Sequence, residues 1–253
     1  MNYNLPNIPE RPAKPRDKGL TMMMDKGLSL NETINFIESC GDFTDLVKFG
    51  FGTALITKNL DKKIKLYKDA GIKPYFGGTL FEVFIIRGMF DDYRRFIDKY
   101  NLEVIEISDG SMQMKHEDKL KYIEIMSKQV TVISEVGSKQ KGVVIPDDKW
   151  VSMMKTELEA GSWKVIAEAR ESGNIGIYNS DGSANIHLIE CITKNLDCNN
   201  IIWEAPNKAQ QVYFIKLLGS NVNLGNIATN EVFSLETLRL GLRGDTFFDF
   251  LPK

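Results

Sequence analysis

Polar clusters recur at eight places along this chain, and each mixes groups able to hold ions or move protons. They are Asp25-Lys26-Gly27, Lys48 followed by Gly50, Gly52 and Thr53, and Gly77-Gly78-Thr79 with Glu82 one turn later. Glu106-Ile-Ser108-Asp109-Gly110-Ser111 and Glu135-Val-Gly-Ser-Lys139 come next. Glu168-Ala-Arg170-Glu171, Glu204-Ala-Pro and Asn223-Leu-Gly225-Asn226 complete the set. Charges brought into one concave place are costly unless they pair or hold a metal. The chain has only two histidines, His116 and His187. That argues against a site of several imidazoles, such as three-histidine zinc. Oxygen ligands favour Mg²⁺ over zinc or copper. Lysine and arginine both bind phosphate or carboxylate, so the cations suit an anionic substrate. The residues alone therefore lead to a Mg²⁺-assisted enzyme acting on a small phosphorylated or carboxylated anion. Each cluster has a plainer alternative. A strand-end carboxylate can cap a helix, Lys26 and Lys48 can pair with neighbouring acids, and the glycines can form tight turns.

What positions these clusters is a repeated unit. Each follows or overlaps a short apolar run: Leu20–Met24, Asp45–Phe49, Lys73–Phe76, Glu103–Ile107, Val130–Ser134, Trp163–Ala167, Asn200–Trp203 and Ser220–Leu224. Short runs rich in Val and Ile read as buried strands. The segments between them read as helices. Ser29-Leu-Asn-Glu32 is a capping box, and that helix stops near Cys40, where Gly41 allows a left-handed cap. Asp61–Ala70 ends at Gly71, and Trp150–Ala160 at Gly161. A helix beginning at Pro206 ends at Gly219, and Ser234–Leu242 lies in the last one. His116 begins a helix as a surface residue, and His187 sits on a helix flank. Alternating strands and helices imply parallel pairing with right-handed crossovers. Eight units, without a Gly-x-Gly-x-x-Gly, fit a single (β/α)8 TIM barrel better than an open sheet. In that fold all eight clusters meet at the C-terminal ends of the strands. Asn223–Asn226 would then lie where such barrels often hold phosphate.

Composition bounds the rest. The chain has 253 residues, 32 Lys+Arg and 34 Asp+Glu, for a net charge of −2. A nearly neutral chain has no global field for nucleic acid or an anionic membrane. Three cysteines, Cys40, Cys191 and Cys198, without a Cys-x-x-Cys, read as reduced thiols of a cytoplasmic protein. No signal-like or membrane-spanning apolar run is expected. Four prolines, Pro6, Pro9, Pro12 and Pro15, make residues 1–18 an extended arm draped over the barrel or a neighbouring subunit. Residues 19–253 form the barrel, and its apolar helix faces permit a homo-oligomer.

Taken together, these clusters resemble the phosphosulfolactate synthase family, which includes heat-stress-associated plant relatives. The resemblance rests on Asp25-Lys-Gly-Leu28, Val47-Lys-Phe-Gly50, Gly77-Gly-Thr-Leu-Phe-Glu82 and Glu106-Ile-Ser-Asp-Gly-Ser111. It continues through Glu135-Val-Gly-Ser-Lys139, Ala169-Arg-Glu-Ser-Gly173, Glu204-Ala-Pro-Asn-Lys-Ala-Gln-Gln211 and Val222-Asn-Leu-Gly-Asn-Ile227. It spans roughly residues 19–248. Two positions depart from the archaeal pattern: Phe51 stands for tryptophan and Ala169 for glycine. The resemblance implies a (β/α)8 barrel and Mg²⁺-dependent addition of sulfite to phosphoenolpyruvate, giving (2R)-2-O-phospho-3-sulfolactate. The product would lead to coenzyme M or to sulfolactate. The resemblance also implies Lys139 as the acid that protonates C2, with Lys26 as runner-up. Glu135 and Glu168, then Asp25 and Glu204, are the candidate Mg²⁺ ligands. Lys48 and Arg170 would bind phosphate or sulfite, with phosphate contacts from Gly225 and Asn226. Arg243 either reaches the mouth or pairs with Asp245. Two alternatives stand beside this: a barrel lyase using phosphoenolpyruvate with another nucleophile, and a non-catalytic stress-associated scaffold.

Overall fold

Eight parallel strands close into a barrel. In the computed structural model, which describes residues 2–138 and 145–252, the strands are β1 (Thr21–Asp25), β2 (Leu46–Phe49), β3 (Lys73–Phe76), β4 (Val104–Ile107), β5 (Thr131–Val136), β6 (Ser162–Ala167), β7 (Ile201–Glu204) and β8 (Leu224–Ala228). They lie in the order β3-β2-β1-β8-β7-β6-β5-β4, and β3 packs beside β4 to close the ring. Nine helices wrap the described part: α1 (Leu30–Cys40), α2 (Leu60–Asp69), α3 (Gly78–Ile85), α4 (Phe90–Lys99), α5 (His116–Met126), α6 (Asp147–Glu159), α7 (Ile186–Asn195), α8 (Lys208–Leu218) and α9 (Val232–Arg239). The fold is the (β/α)8 TIM barrel.

Strand alternation divides the apolar side chains into two cores. Leu20, Met22, Leu46, Tyr75, Val104, Ile133, Ile166 and Ile202 fill the barrel interior. Their chain neighbours Met23, Val47, Ile105, Val132, Val165 and Trp203 face the helices and join the larger outer core. Burying each such side chain stabilises the fold by about 1.5–3 kcal/mol. A buried parallel strand needs apolar residues on both faces, which explains the unbroken Val/Ile runs.

The ends of the elements both match and depart from expectation. The capping box forms, with the Ser29 side chain accepting from Glu32 N–H and the Glu32 carboxylate accepting from Ser29 N–H. Gly41 is right-handed rather than left-handed, with φ −56°, because a 3₁₀ turn continues directly from α1. Gly71, Gly161 and Gly219 do take positive φ at or just beyond helix ends. Pro206 does not start α8. Asn207 caps that helix reciprocally with Gln210, so the proline lies just outside. The largest shift is in β8, which runs from Leu224 to Ala228 rather than Ser220 to Leu224. Asn and Gly are poor strand formers. Neighbouring strand ends override that preference, with Leu224 N–H donating to Leu20 O and Ala205 N–H donating to Gly225 O, both at 2.9 Å.

The proline-rich arm lies across the base of its own barrel. Arg11 donates to Glu236 at 2.9 Å and to the carbonyl of Gly19 at 2.9 Å. Lys14 donates to the carbonyls of Gly41 and Thr44, at 2.9 and 2.7 Å. Arg16 pairs with Asp45 at 2.8 Å. No helix among the described residues is long and apolar enough to cross a membrane.

Candidate functional site

The same alternation that fills the barrel also builds its mouth. Two residues beyond an interior apolar side chain, the next inward position sits at the C-terminal end of the strand. Ile133 is followed by Glu135, Ile166 by Glu168, Ile202 by Glu204, Val104 by Glu106 and Leu46 by Lys48. All four glutamates and the lysine are buried. Carboxylate oxygens of Glu135, Glu168 and Glu204 lie within 4.8 Å of one another. The Lys48 ammonium stands 2.9 Å from Glu106, 3.3 Å from Glu135 and 3.4 Å from Glu204. Burial opposes its charge, but Glu106, Glu135 and Glu204 outweigh that and hold its pKa well above the usual lysine value.

Backbone donors fix two of these carboxylates from behind. Gly78 N–H donates to Glu106 at 2.6 Å, from the start of α3. Ala169 N–H donates to Glu204 at 2.8 Å. Burial and the Glu106 charge push the Tyr75 phenol well above its ordinary pKa, so it stays protonated beneath the cluster. Gly137, directly after β5, has φ +145°, and a Cβ there would stand 2.3 Å from the Glu168 Cβ. Only glycine lets the chain pass so close to that glutamate. Above the carboxylates opens a cavity of about 460 Å³, lined by Lys48, Glu135, Glu168, Glu204, Arg170 and Asn226 among others. That volume suits a small ligand.

The other expected site residues fall in different places. Arg170 is exposed and lines the cavity. Lys26 is at the rim, paired with Glu171 of the loop after β6. Asp25 is not brought to the glutamate group. Met22 and Met24 take the inward positions of β1, so Asp25 points outward. It lies 2.7 Å from Lys63, accepts from Tyr67 at 2.9 Å, and also accepts from Gly27 and Leu28 N–H. Asn226 takes a left-handed φ of +56°, and its amide donates to the Ala169 carbonyl at 3.2 Å. Gly225 lies within β8, where a Cβ would stand 2.6 Å from Met22 Cε, so its small size serves barrel packing. Arg243 approaches Asp245 at 3.9 Å. Lys139 lies outside the described residues. His116 is half-buried, 2.8 Å from Thr156 Oγ1, and His187 is exposed beside Asp147.

Three contributors were given no site role from sequence, although Glu106 and Glu82 stand in the strand-end clusters. Glu106 closes the lysine's ring of acids, and its spacing from Val104 carried the signal. Tyr75 is a second, in an interior position two residues before the Gly77 cluster. The third is Glu82, which accepts from Ser108 Oγ at 2.5 Å and Ser111 N–H at 3.0 Å, fastening the loop after β4. The donor set fits a small hard divalent cation. The three clustered groups are all carboxylates, carried by three adjacent strands, and they border the cavity.

Comparison with known proteins agrees with this architecture. Solved structures similar in fold include 3-hexulose-6-phosphate synthase from Salmonella typhimurium, with a TM-score of 0.54 and 13% identity over 87% of this chain and 99% of that one. The 3-keto-L-gulonate-6-phosphate decarboxylase of Vibrio cholerae gives 0.52 at 11% identity, over 93% and 100% of the two chains. At such identity the likeness concerns the barrel alone. In sequence, the chain is 41% identical to a phosphosulfolactate synthase of Bacillus subtilis, over 98% of this chain and all of that one. It is 44% identical to one from Methanocaldococcus jannaschii, over 91% and 94%. The profile of the (2R)-phospho-3-sulfolactate synthase (ComA) family matches residues 9–245, and the chain belongs to that family.

Proposed function

We propose that this protein is a phosphosulfolactate synthase that adds sulfite to phosphoenolpyruvate with the help of Mg²⁺, giving (2R)-2-O-phospho-3-sulfolactate. The observation that carries this reading is the group Glu135, Glu168 and Glu204 at the floor of a cavity with Arg170 on its wall. It supports an acid cluster for a cation and a basic group for an anion, in one small space.

Glu135, Glu168 and Glu204 would hold the metal. When bound, Mg²⁺ supplies Lewis-acid stabilisation of negative charge on a substrate carboxylate. The sulfur lone pair of sulfite forms the new bond to C3 of phosphoenolpyruvate. The C2–C3 π pair moves toward C2 and the adjoining carboxylate, and a proton is then delivered to C2. Arg170 is placed to bind a phosphate or sulfite oxyanion at the cavity wall, where a guanidinium can offer two parallel donors. Lys48 keeps Glu106, Glu135 and Glu204 close together by charge, so the cluster is arranged before any ligand arrives. We assign proton delivery to Lys139, four residues after Glu135 in sequence, and a single donor on one face would fix the R configuration.

The test is direct. Purified protein is mixed with phosphoenolpyruvate and sulfite, with Mg²⁺ or with excess chelator, and the product is followed by phosphorus NMR. Phosphosulfolactate should form with the metal and not with the chelator. No product at millimolar substrates would refute the reading.

A further inference from the structure

A second buried ion group lies behind the site, between α5, α6 and the ends of β4 and β5. Its centre is Lys119 of α5, a lysine with no exposed surface. The Lys119 ammonium donates to the backbone carbonyl of Glu135 at 2.5 Å and to Asp109 at 2.9 Å. It stands 2.7 Å from Glu157 of α6. Burial disfavours its charge, but Glu157 and Asp109 outweigh that and hold its pKa above the ordinary lysine range.

A buried lysine is an unusual way to fill space between a helix and a barrel, because an apolar side chain of similar volume does so without desolvation. What an apolar residue cannot do is donate to a carbonyl. The carbonyl that Lys119 holds belongs to a residue whose side chain lies in the mouth. Alternation explains the geometry. Glu106 and Ser108 take inward positions at the end of β4, so Asp109 points outward to Lys119. At β5 the Glu135 side chain points in while its carbonyl is reached from the helix layer. One ammonium thus ties the loop after β4 to the end of β5.

We propose that Lys119 is a positioning residue that sets the Glu135 carboxylate in the mouth by holding the Glu135 carbonyl and the Asp109 loop in register. Glu157 is its counter-charge and takes no part in the site itself. The inference rests on the proposed function for its kinetic readout, and on metal binding for a second readout that needs no turnover.

The experiment compares Lys119→Met with the double variant Lys119→Met/Glu157→Met. Melting temperature, kcat, KM and Mg²⁺ affinity by calorimetry are measured for each. Outer partners of metal ligands typically contribute 10–100-fold to affinity or activity. The single variant leaves Glu157 buried without its cation and should melt lower. The double variant should regain stability, since apolar replacement of a buried pair is often neutral. Positioning requires that the double variant still lose at least ~10-fold in Mg²⁺ affinity and in kcat, with little change in KM. Recovery of affinity and kcat together with stability would overturn the proposal and leave Lys119 a packing element. Should neither variant fold, Glu157→Gln decides. It keeps both Lys119 hydrogen bonds, so near-normal Mg²⁺ affinity supports the proposal and a ~10-fold loss overturns it. If the wild type makes no phosphosulfolactate, the functional reading fails while the calorimetric comparison still judges Lys119.

Discussion

The two ends of this barrel bury charge in opposite ways. At the base, each buried acid meets a guanidinium. Arg11 joins Glu236, Arg16 joins Asp45, and buried Arg239 donates to the carbonyls of Ser220, Val222 and Leu20 at 2.6, 2.7 and 3.1 Å. At the mouth, three buried glutamates surround one buried lysine, and a fourth, Glu168, adjoins two of them. Pairing buried acids with guanidinium groups, with carbonyls satisfied, is an arrangement that stabilises a fold by holding chain segments together. Crowding like charges does not, because each acid raises the cost of ionising the next. The base is therefore built for cohesion, and the mouth holds an electrostatic arrangement whose proposed use is binding. Substitutions at the two ends should separate activity from stability.

The largest effect should come from Glu168→Gln. It keeps the shape of the side chain and removes one charge from the three-carboxylate group. We expect kcat for phosphosulfolactate formation to fall by about 10²–10³-fold, the scale found for loss of one electrostatic contributor at an active site. Stability should change by less than about 1 kcal/mol, since strained active-site charges are seldom stabilising. Paired kinetics and thermal melts check this. A variant that melts much lower yet turns over normally would reverse the roles assigned to the two ends.

Arg239→Met is the counterpart at the base. Burial, with Arg11 nearby, pulls the Arg239 pKa down to about 9, so it remains charged at neutral pH. Its loss leaves the Val222 carbonyl without that donor and takes one donor each from the Ser220 and Leu20 carbonyls, which keep Arg11 and Leu224 N–H; together this should cost about 3 kcal/mol. In a chain of this size that is a fall of roughly 6–12 °C in Tm. Below the melt, kcat should stay within about twofold of normal, because distant sites act independently. A large loss of kcat in the folded variant would mean the base also shapes the mouth.

Much of this contrast can be read from strand parity. Ile133 and Glu135, Ile166 and Glu168, and Ile202 and Glu204 repeat one spacing, and the structure gathers those three glutamates. The same rule, applied to Met22 and Met24, turns Asp25 away from the mouth, and the structure shows it held by Lys63 and Tyr67. Applied to Val104, it adds Glu106. Pairing across the barrel is harder to read. Nothing local says that Lys48 of β2 reaches Glu204 of β7, since closure of the ring brings them together. Nor does local composition reveal β8, where Asn226 adopts a left-handed conformation inside a strand fixed by its neighbours. The arm reads as extended from its prolines, but its docking depends on Asp45 and Glu236, which lie far away in sequence.

The smallest effect, and the one most specific to the base, should come from Arg16→Met. Arg16 donates to Asp45 Oδ1 at 2.8 Å and to the Asp42 carbonyl at 2.6 Å, while the other Asp45 oxygen accepts from Thr21 N–H at 2.8 Å. Burial raises the Asp45 pKa above its ordinary value, and the Arg16 charge holds that rise in check. A carboxyl whose folded pKa stands above its unfolded one binds a proton more readily in the folded state. Its ionisation therefore lowers stability as pH climbs from the ordinary aspartate range through the raised folded value. Removing Arg16 widens that window and leaves a less compensated carboxylate at neutral pH. The substitution should cost about 1–2 kcal/mol at pH 7, the scale of a hydrogen bond to a charged group. It should cost less near pH 4, where Asp45 takes up its proton and has less need of a cation. Melts of wild type and variant at the two pH values give the comparison. An equal loss at both would show that Arg16 holds the arm through the Asp42 carbonyl and packing rather than through its charge.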